Sequence, residues 1–274
     1  MSAFIVVFAS TASASDVRVS VTEVSDQRTT GEFFKKLEIK LRLTGDDAVD
    51  IKGIKKVIKK AVDDTGRNLI AEDEHSTGFD SVSDSGSGPE LSITLKNPAR
   101  KASVVKELSG EVQLFAPDKD PKSVVLVKKF TKTGGKPVDN PAFKKAKLKL
   151  TVMTKEEYDA FKDRKQKESE EEAKQKGLED AMVEAMSSMF SSFFSVGEND
   201  LIFKVEDPEG SLIDMDVLNS KGEHIESNGI TTADDVRVIG YTDPLPKGAQ
   251  LRVYLKTSKS VITVPFTIAD IALP

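Results

Sequence analysis

Leu37, Ile39, Leu41 and Leu43 are separated by Glu38, Lys40 and Arg42. Side chains alternate faces along a strand, so this run puts its apolar groups on one face and its charges on the other. A helix of period 3.6 does not segregate them that way. The same alternation governs Val17, Val19 and Val21, then Leu91, Ile93 and Leu95, and then Val112 and Leu114. It returns at Ala146, Leu148, Leu150 and Val152. Turn-forming stretches such as "LTGDD", "KNPA", "APDKDP" and "KTGGKPVDNP" separate these runs. Many short strands with such turns predict a mainly β chain built as sandwiches or barrels.

One segment reads both ways. "IKGIKKVIKKAVDD" sets Ile51, Ile54, Ile58, Ala61 and Val62 at helical spacing. Its β-branched residues favour a strand instead.

A two-copy repeat suggests two modules. "AVDDTGRNLI" leads to "LSITLKNPARKASVVKELSGEVQLFAP", and "VLNSKGEHI" leads to "LRVYLKTSKSVITVPFTIADIALP". In both, an x-x-Gly turn precedes a strand reading L-x-[IV]-x-L-K and a further apolar strand. The expected layout is an N-terminal β-sandwich over 16–153, a helical insertion over 154–196 and a small C-terminal β-sandwich over 197–274.

The insertion opens with Thr154 and Glu157 in a T-x-x-E capping box. The stretch 155–176 is nearly all polar, with Tyr158 and Phe161 as its only anchors. Glu170 with Lys174 and Glu172 with Lys176 form favourable i,i+4 pairs. Gly177 interrupts or kinks the helix.

"LEDAMVEAMSSMFSSFFS", residues 178–195, is amphipathic. Leu178, Met182, Ala185, Met189, Phe193 and Val196 form a seam, with Val183, Met186, Phe190 and Phe194 beside it. The other half carries Asp180, Glu184 and serines. Three readings compete: cover for a sheet of the same chain, a surface for a partner or a second copy, and a lipid contact. Acids and serines on the polar face disfavour anionic lipid. Cover is preferred, since burying four Phe and Met side chains contributes roughly 6–12 kcal/mol without loss of translational entropy. Met186, Met189, Phe190, Phe193 and Phe194 are the candidate interaction surface if the face stays open.

The N-terminus, "MSAFIVVFASTASASDV", pairs an apolar run with Ala12-Ser13-Ala14, a spacing that signal peptidase accepts. Residues 1–15 are therefore expected to act as a signal peptide, although the basic leading region is missing, and the protein to be exported to the periplasm or the exterior. No stretch has the 18 apolar residues of a membrane span.

Composition narrows the chemistry. With no cysteine, disulfides, thiol catalysis and zinc–thiolate sites are excluded. A net charge of −5, no Trp and 3 Tyr argue against nucleic acid as a partner. His75 lies in the acidic loop "AEDEHSTGFDSVSDSGSG", where Glu72, Asp73, Glu74, Asp80 and Asp84 miss the spacing of a calcium loop. His224 follows the turn "NSKGE" and is expected to be exposed. There is no G-x-S-x-G elbow. "TGGKP" lacks the earlier glycine of a phosphate loop. "DDTG" has no second copy to share a proton, as aspartic protease chemistry requires. Lys55, Lys56, Lys59 and Lys60 could hold an anion but read as a solvated face. No catalytic, metal-ligating or cofactor-binding residue is assigned.

"LKNPARKASVVKELSGEVQLF" together with "VITVPFTIADIALP" resembles uncharacterised exported bacterial proteins. The resemblance spans both modules but not the helices. It implies an immunoglobulin- or fibronectin-like sandwich and brings no catalytic residues. The expected function is a non-catalytic binding or structural module of the bacterial envelope or extracellular space, acting on another protein or on itself. The alternatives are a hydrolase or metal-dependent enzyme with an unrecognised site, or an oligomer formed through 178–195.

Overall fold

The structure is a computed structural model that describes residues 16–29, 35–71, 78–82, 88–133, 135–175, 177, 182–183, 187–188 and 194–274. Residues 1–15 lie outside these, and with them the expected signal peptide. The first strands are β1 (Arg18–Gln27), β2 (Lys36–Thr44), β3 (Gly53–Asp63), β4 (Asp80–Ser81), β5 (Glu90–Leu95), β6 (Val104–Phe115) and β7 (Val124–Lys128). Helix α1 (Pro141–Lys145), β8 (Lys149–Val152) and helix α2 (Lys155–Gln175) follow. The chain continues through β9 (Leu201–Glu206), β10 (Leu212–Leu218), β11 (Gly229–Ala233), β12 (Val236–Gly240), β13 (Gln250–Leu255) and β14 (Val261–Ala272). The fold is mainly β, with four antiparallel sheets.

Two compact units form, one from Met1–Val124 with Tyr254–Pro274, the other from Val125–Val253. The second is thus an insertion in the sequence of the first.

In the first unit the sheets are β1-β2-β5 and β14-β6-β3-β4. The apolar alternation of β2 leaves Leu37, Ile39, Leu41 and Leu43 with no solvent exposure. These join Leu91, Ile93 and Leu95 of β5 and Leu108, Val112 and Leu114 of β6 in one core. A bulge between Val21 and Glu23 resets β1, so that Val24 pairs with Ile39 and meets the core in place of Glu23.

The ambiguous segment 51–62 is strand β3. A bulge between Ile58 and Lys60 shifts its alternation by one residue. Ile54, Ile58 and Ala61 consequently all pack into the core, which imitates helical spacing in the sequence. Gly110 of β6 sits opposite this point, where an added Cβ would lie 2.3 Å from the Val57 carbonyl oxygen. Only glycine fits such a backbone approach.

The expected module boundaries 16–153 and 197–274 do not coincide with these units. β14 does not belong with the strands before it. It pairs with β6 from Val261 opposite Phe115 to Ala272 opposite Val104. Its Val264, Phe266, Ile268 and Ile271 complete the first core. β6 and β14 close the two copies of the sequence repeat, yet they are neighbours in one sheet, so the copies are not separate modules. β7 and β8 pair instead with strands of the second unit, whose sheets are β10-β13-β7 and β11-β12-β9-β8.

The run from Ala146 to Val152 is also shorter as a strand than expected. The Asn140 side chain accepts from Ala142 N at 2.8 Å, Pro141 occupies the first helical position, and α1 forms. Ala146 caps the end of α1, and the strand begins only at Lys149.

Candidate functional site

The capping box forms as its residues imply. Thr154 N donates to Glu157 Oε2 at 2.8 Å, and Glu157 N donates to Thr154 Oγ1 at 3.2 Å. Starting α2 at this point fixes the phase of Tyr158 and Phe161, one turn apart and stacked with ring centroids 6.2 Å apart. They pack on Ile202 of β9 and Val236 of β12, on one face of the four-stranded sheet. Met153, Phe194, Val196 and Val238 pack around them. A helix that is polar nearly throughout thus covers the sheet with two rings. The Arg164 guanidinium lies over Phe161, 5.6 Å from its centroid.

Gly177, at φ 72, ends α2 in the left-handed conformation, and its N–H donates to Lys174 O at 3.0 Å. The chain then returns along the helix. Gln166 donates to Ser187 Oγ at 2.6 Å, and Ser187 Oγ donates to Glu170 Oε1 at 3.0 Å. Near the start of α2, Tyr158 Oη donates to Phe194 O at 3.1 Å. Late residues of the returning segment meet early residues of α2, so the two run antiparallel. The bonds from Gln166 and Ser187 hold the Glu170 carboxyl below its usual range. Burial pushes the Tyr158 hydroxyl up.

Of the candidate interaction surface, Met186, Met189, Phe190 and Phe193 lie outside the described residues. Phe194 is described and half-buried against the sheet cluster. Val183, expected beside the apolar seam, is 7% exposed, whereas Met182 on the seam is 54% exposed. Ser187, four residues after Val183, ties the segment to α2 through its bonds with Gln166 and Glu170.

A second constellation escaped the sequence reading. The Asn219 side chain accepts from Lys221 N and Glu223 N at 2.8 and 3.1 Å and closes the turn after β10. An isolated bridge then sets His224 against Leu218. His224 Nδ1 lies 3.2 Å from Asp216 Oδ2 on β10, and its Nε2 lies 3.9 Å from Glu226. Arg252 of β13 grips Asp216 from the other side, with Nε 2.8 Å from Oδ1 and Nη2 on Oδ2. One carboxylate therefore meets both the Arg252 guanidinium and the His224 ring. Burial, with Asp216 adding to it, pushes the Tyr241 hydroxyl up to about 12. The sequence signal was D-x-D on β10 opposite an arginine on β13, but nothing in it said that those strands were neighbours.

The remaining candidates resolve into scaffold. Lys59 pairs with Glu111, Lys60 Nζ lies 2.6 Å from Glu107 Oε2, and Lys56 Nζ donates to Ser92 O at 2.6 Å. Of the expected basic cluster, Lys59 and Lys60 are thus engaged in cross-strand ion pairs and Lys56 in a bond to a backbone carbonyl. Asp63 of "DDTG" is buried at the end of β3. Its Oδ1 accepts from Thr65 N, Thr65 Oγ1 and Arg67 N, and its Oδ2 accepts from Ala99 N. Burial alone would raise its pKa, but the bond from Ala99 N and those from Thr65 and Arg67 outweigh it and bring the value down to about 2. His75, Glu72, Asp73, Glu74 and Asp84 lie outside the described residues, among which no cluster suited to a metal ion occurs. No helix among the described residues is long and apolar enough to cross a membrane.

Comparison with protein-family models, curated proteins and solved structures finds no match.

Proposed function

We propose that the protein is a non-catalytic binding or structural protein of the bacterial envelope or extracellular space. The observation that carries this reading is the use made of the carboxylates. Asp63, Asp200 and Asp207 each engage both oxygens with hydrogen-bond donors that include backbone N–H groups. Asp216 gives both of its oxygens to Arg252. These acids act as staples between loops and strands, and a carboxylate so held is a poor general base.

The first unit supports an immunoglobulin- or fibronectin-like sandwich. Its three-stranded and four-stranded sheets contribute to one core, and the second unit is inserted between the last two strands, β6 and β14. Such scaffolds present loops and inserted segments to partners. The segment 178–195 is the surface assigned to that task; of its described apolar residues Met182 is exposed, Val183 is buried and Phe194 is half-buried. Self-association through the same segment is the second reading.

Fractionation of a bacterial host expressing the full chain tests the location, and cytoplasmic retention refutes export. A panel of ester, peptide and glycoside substrates tests the chemistry. Hydrolysis by the wild type that is lost in His224→Ala overturns the non-catalytic reading. Sedimentation of wild type against Phe194→Glu and Phe190→Glu separates self-association from cover: a dimer falls to a folded monomer, whereas lost cover unfolds the second unit.

A further inference from the structure

The second unit carries a block of positive charge that its neighbours leave standing. β7 ends at Lys128, and Lys129 takes a left-handed turn at φ 56. A single 3-10 turn, Phe130–Lys132, follows, with Lys132 N donating to Lys129 O at 3.0 Å. Lys136 N then donates to Thr133 O at 3.2 Å, and Val138 N to Leu150 O at 2.8 Å. These closures set Lys129, Lys132 and Lys136 in two consecutive tight turns directly after Lys128, while the buried ring of Phe130 between them stacks on Phe203 with centroids 6.3 Å apart. Lys145 follows on α1, whose Phe143 is also buried. All five lysines are exposed.

Neighbouring lysines are neutralised: Lys144 by Asp139, Lys147 by Glu209 and Lys149 by Glu206. Among the described residues no ion pair holds Lys128, Lys129, Lys132, Lys136 or Lys145. A chain of net charge −5 therefore bears a local patch of the opposite sign.

We infer that this patch docks the protein on an anionic phospholipid surface. Three features select that occupant. Every cation in the patch is lysine, a point charge suited to a diffuse layer of headgroups rather than to bidentate recognition of one phosphate. The aromatic rings of the region are buried, so it offers no platform for stacking bases. Leu126 is 52% exposed and lies two residues before Lys128, on the same side of β7, an apolar contact beside the charges as interfacial binders use. The docking relies on the envelope reading only for where a membrane is met. A chain that binds vesicles yet stays in the cytosol would keep this inference and lose that one.

Co-sedimentation of the full chain with phosphatidylcholine vesicles, with and without phosphatidylglycerol, tests the docking at low and high salt. Binding is expected only with phosphatidylglycerol, and weaker at high salt. The triple variant Lys128→Gln, Lys129→Gln and Lys132→Gln should bind about 100-fold more weakly, at roughly fivefold per lysine. Leu126→Ser should lose about fivefold. A control triple, Lys52→Gln, Lys101→Gln and Lys122→Gln, makes the same net charge change on the first unit and should bind like wild type. The inference fails if vesicles are not bound, if both triples weaken binding equally, or if pure phosphatidylcholine binds as well. Tighter binding to duplex DNA than to vesicles would also overturn it. Circular dichroism shows whether each variant is folded.

Discussion

The two units close their hydrophobic faces in different ways. In the first, long alternating strands of two sheets bury one another, with β2, β5, β6 and β14 supplying most of the core. In the second, one face of the sheet β11-β12-β9-β8 is covered by a polar helix that contributes Tyr158 and Phe161. Sheet-on-sheet cover distributes burial over many residues. Among the described residues, helix-on-sheet cover concentrates full burial in two rings, with Phe194 and Val196 partly buried beside them. The second arrangement should therefore be more sensitive to single changes and easier to open locally.

The largest expected effect tests that contrast directly. Phe161→Ala should cost about 3–5 kcal/mol and expose α2 to proteolysis, while amide protection in the first unit is unchanged. Leu41→Ala should cost about 2–5 kcal/mol and do the reverse. If both variants lower one shared unfolding transition, the two units are not independent and the contrast disappears.

The units should also fail at opposite ends of the pH scale. Asp63 has a folded pKa lowered to about 2, so its stabilisation is present above the unfolded value near 4 and is lost as pH falls through about 2. That shift corresponds to roughly 2 kcal/mol in the first unit. Tyr241 has a folded pKa raised to about 12, so the second unit keeps its stability below the unfolded value near 10. It then loses roughly 2–3 kcal/mol as pH rises toward 12. Asp63→Asn should flatten the acid limb of a pH-dependent denaturant titration, and Tyr241→Phe the alkaline limb. An unchanged limb in either variant removes that residue as the cause.

A smaller loss, about 1 kcal/mol, is expected from Thr154→Ala, which removes the N-cap of α2. It should appear as faster hydrogen exchange in the first turn of α2. The smallest effect belongs to Lys60→Gln. Its partner Glu107 is on the surface, and the melting temperature should not move measurably.

Much of the first unit was legible because a strand between solvent and core must alternate, and β2 does so without exception. The segment that became β3 was ambiguous for one local reason, a bulge that converts a period of two into an apparent helical spacing. The capping box and the two anchors of α2 were also legible, since both depend on residues within one or two turns. The site reading fared less well. The sequence assigned the sheet cover to 178–195, and among the described residues Phe194 and Val196 do join that cover, but beside Tyr158 and Phe161, which the sequence named only as anchors of α2. The His224, Asp216 and Arg252 cluster was hidden because its members come from a turn and two strands that are not consecutive in sequence.

By itself the sequence determined the alternating strands β1, β2, β5 and β6 with their inward faces, the start of α2 and the lack of thiol chemistry, all of which follow from neighbours a few residues apart. Only the tertiary structure decided which strands pair. It took β14 across the whole second unit to join β6, gave β7 and β8 to the unit that follows them, and divided the chain where no compositional break marks it. The physical reason is that alternation states which face of a strand must be buried but not against what. Backbone hydrogen bonding is nearly indifferent to sequence, so the choice of partner rests on which distant apolar faces fill one core together.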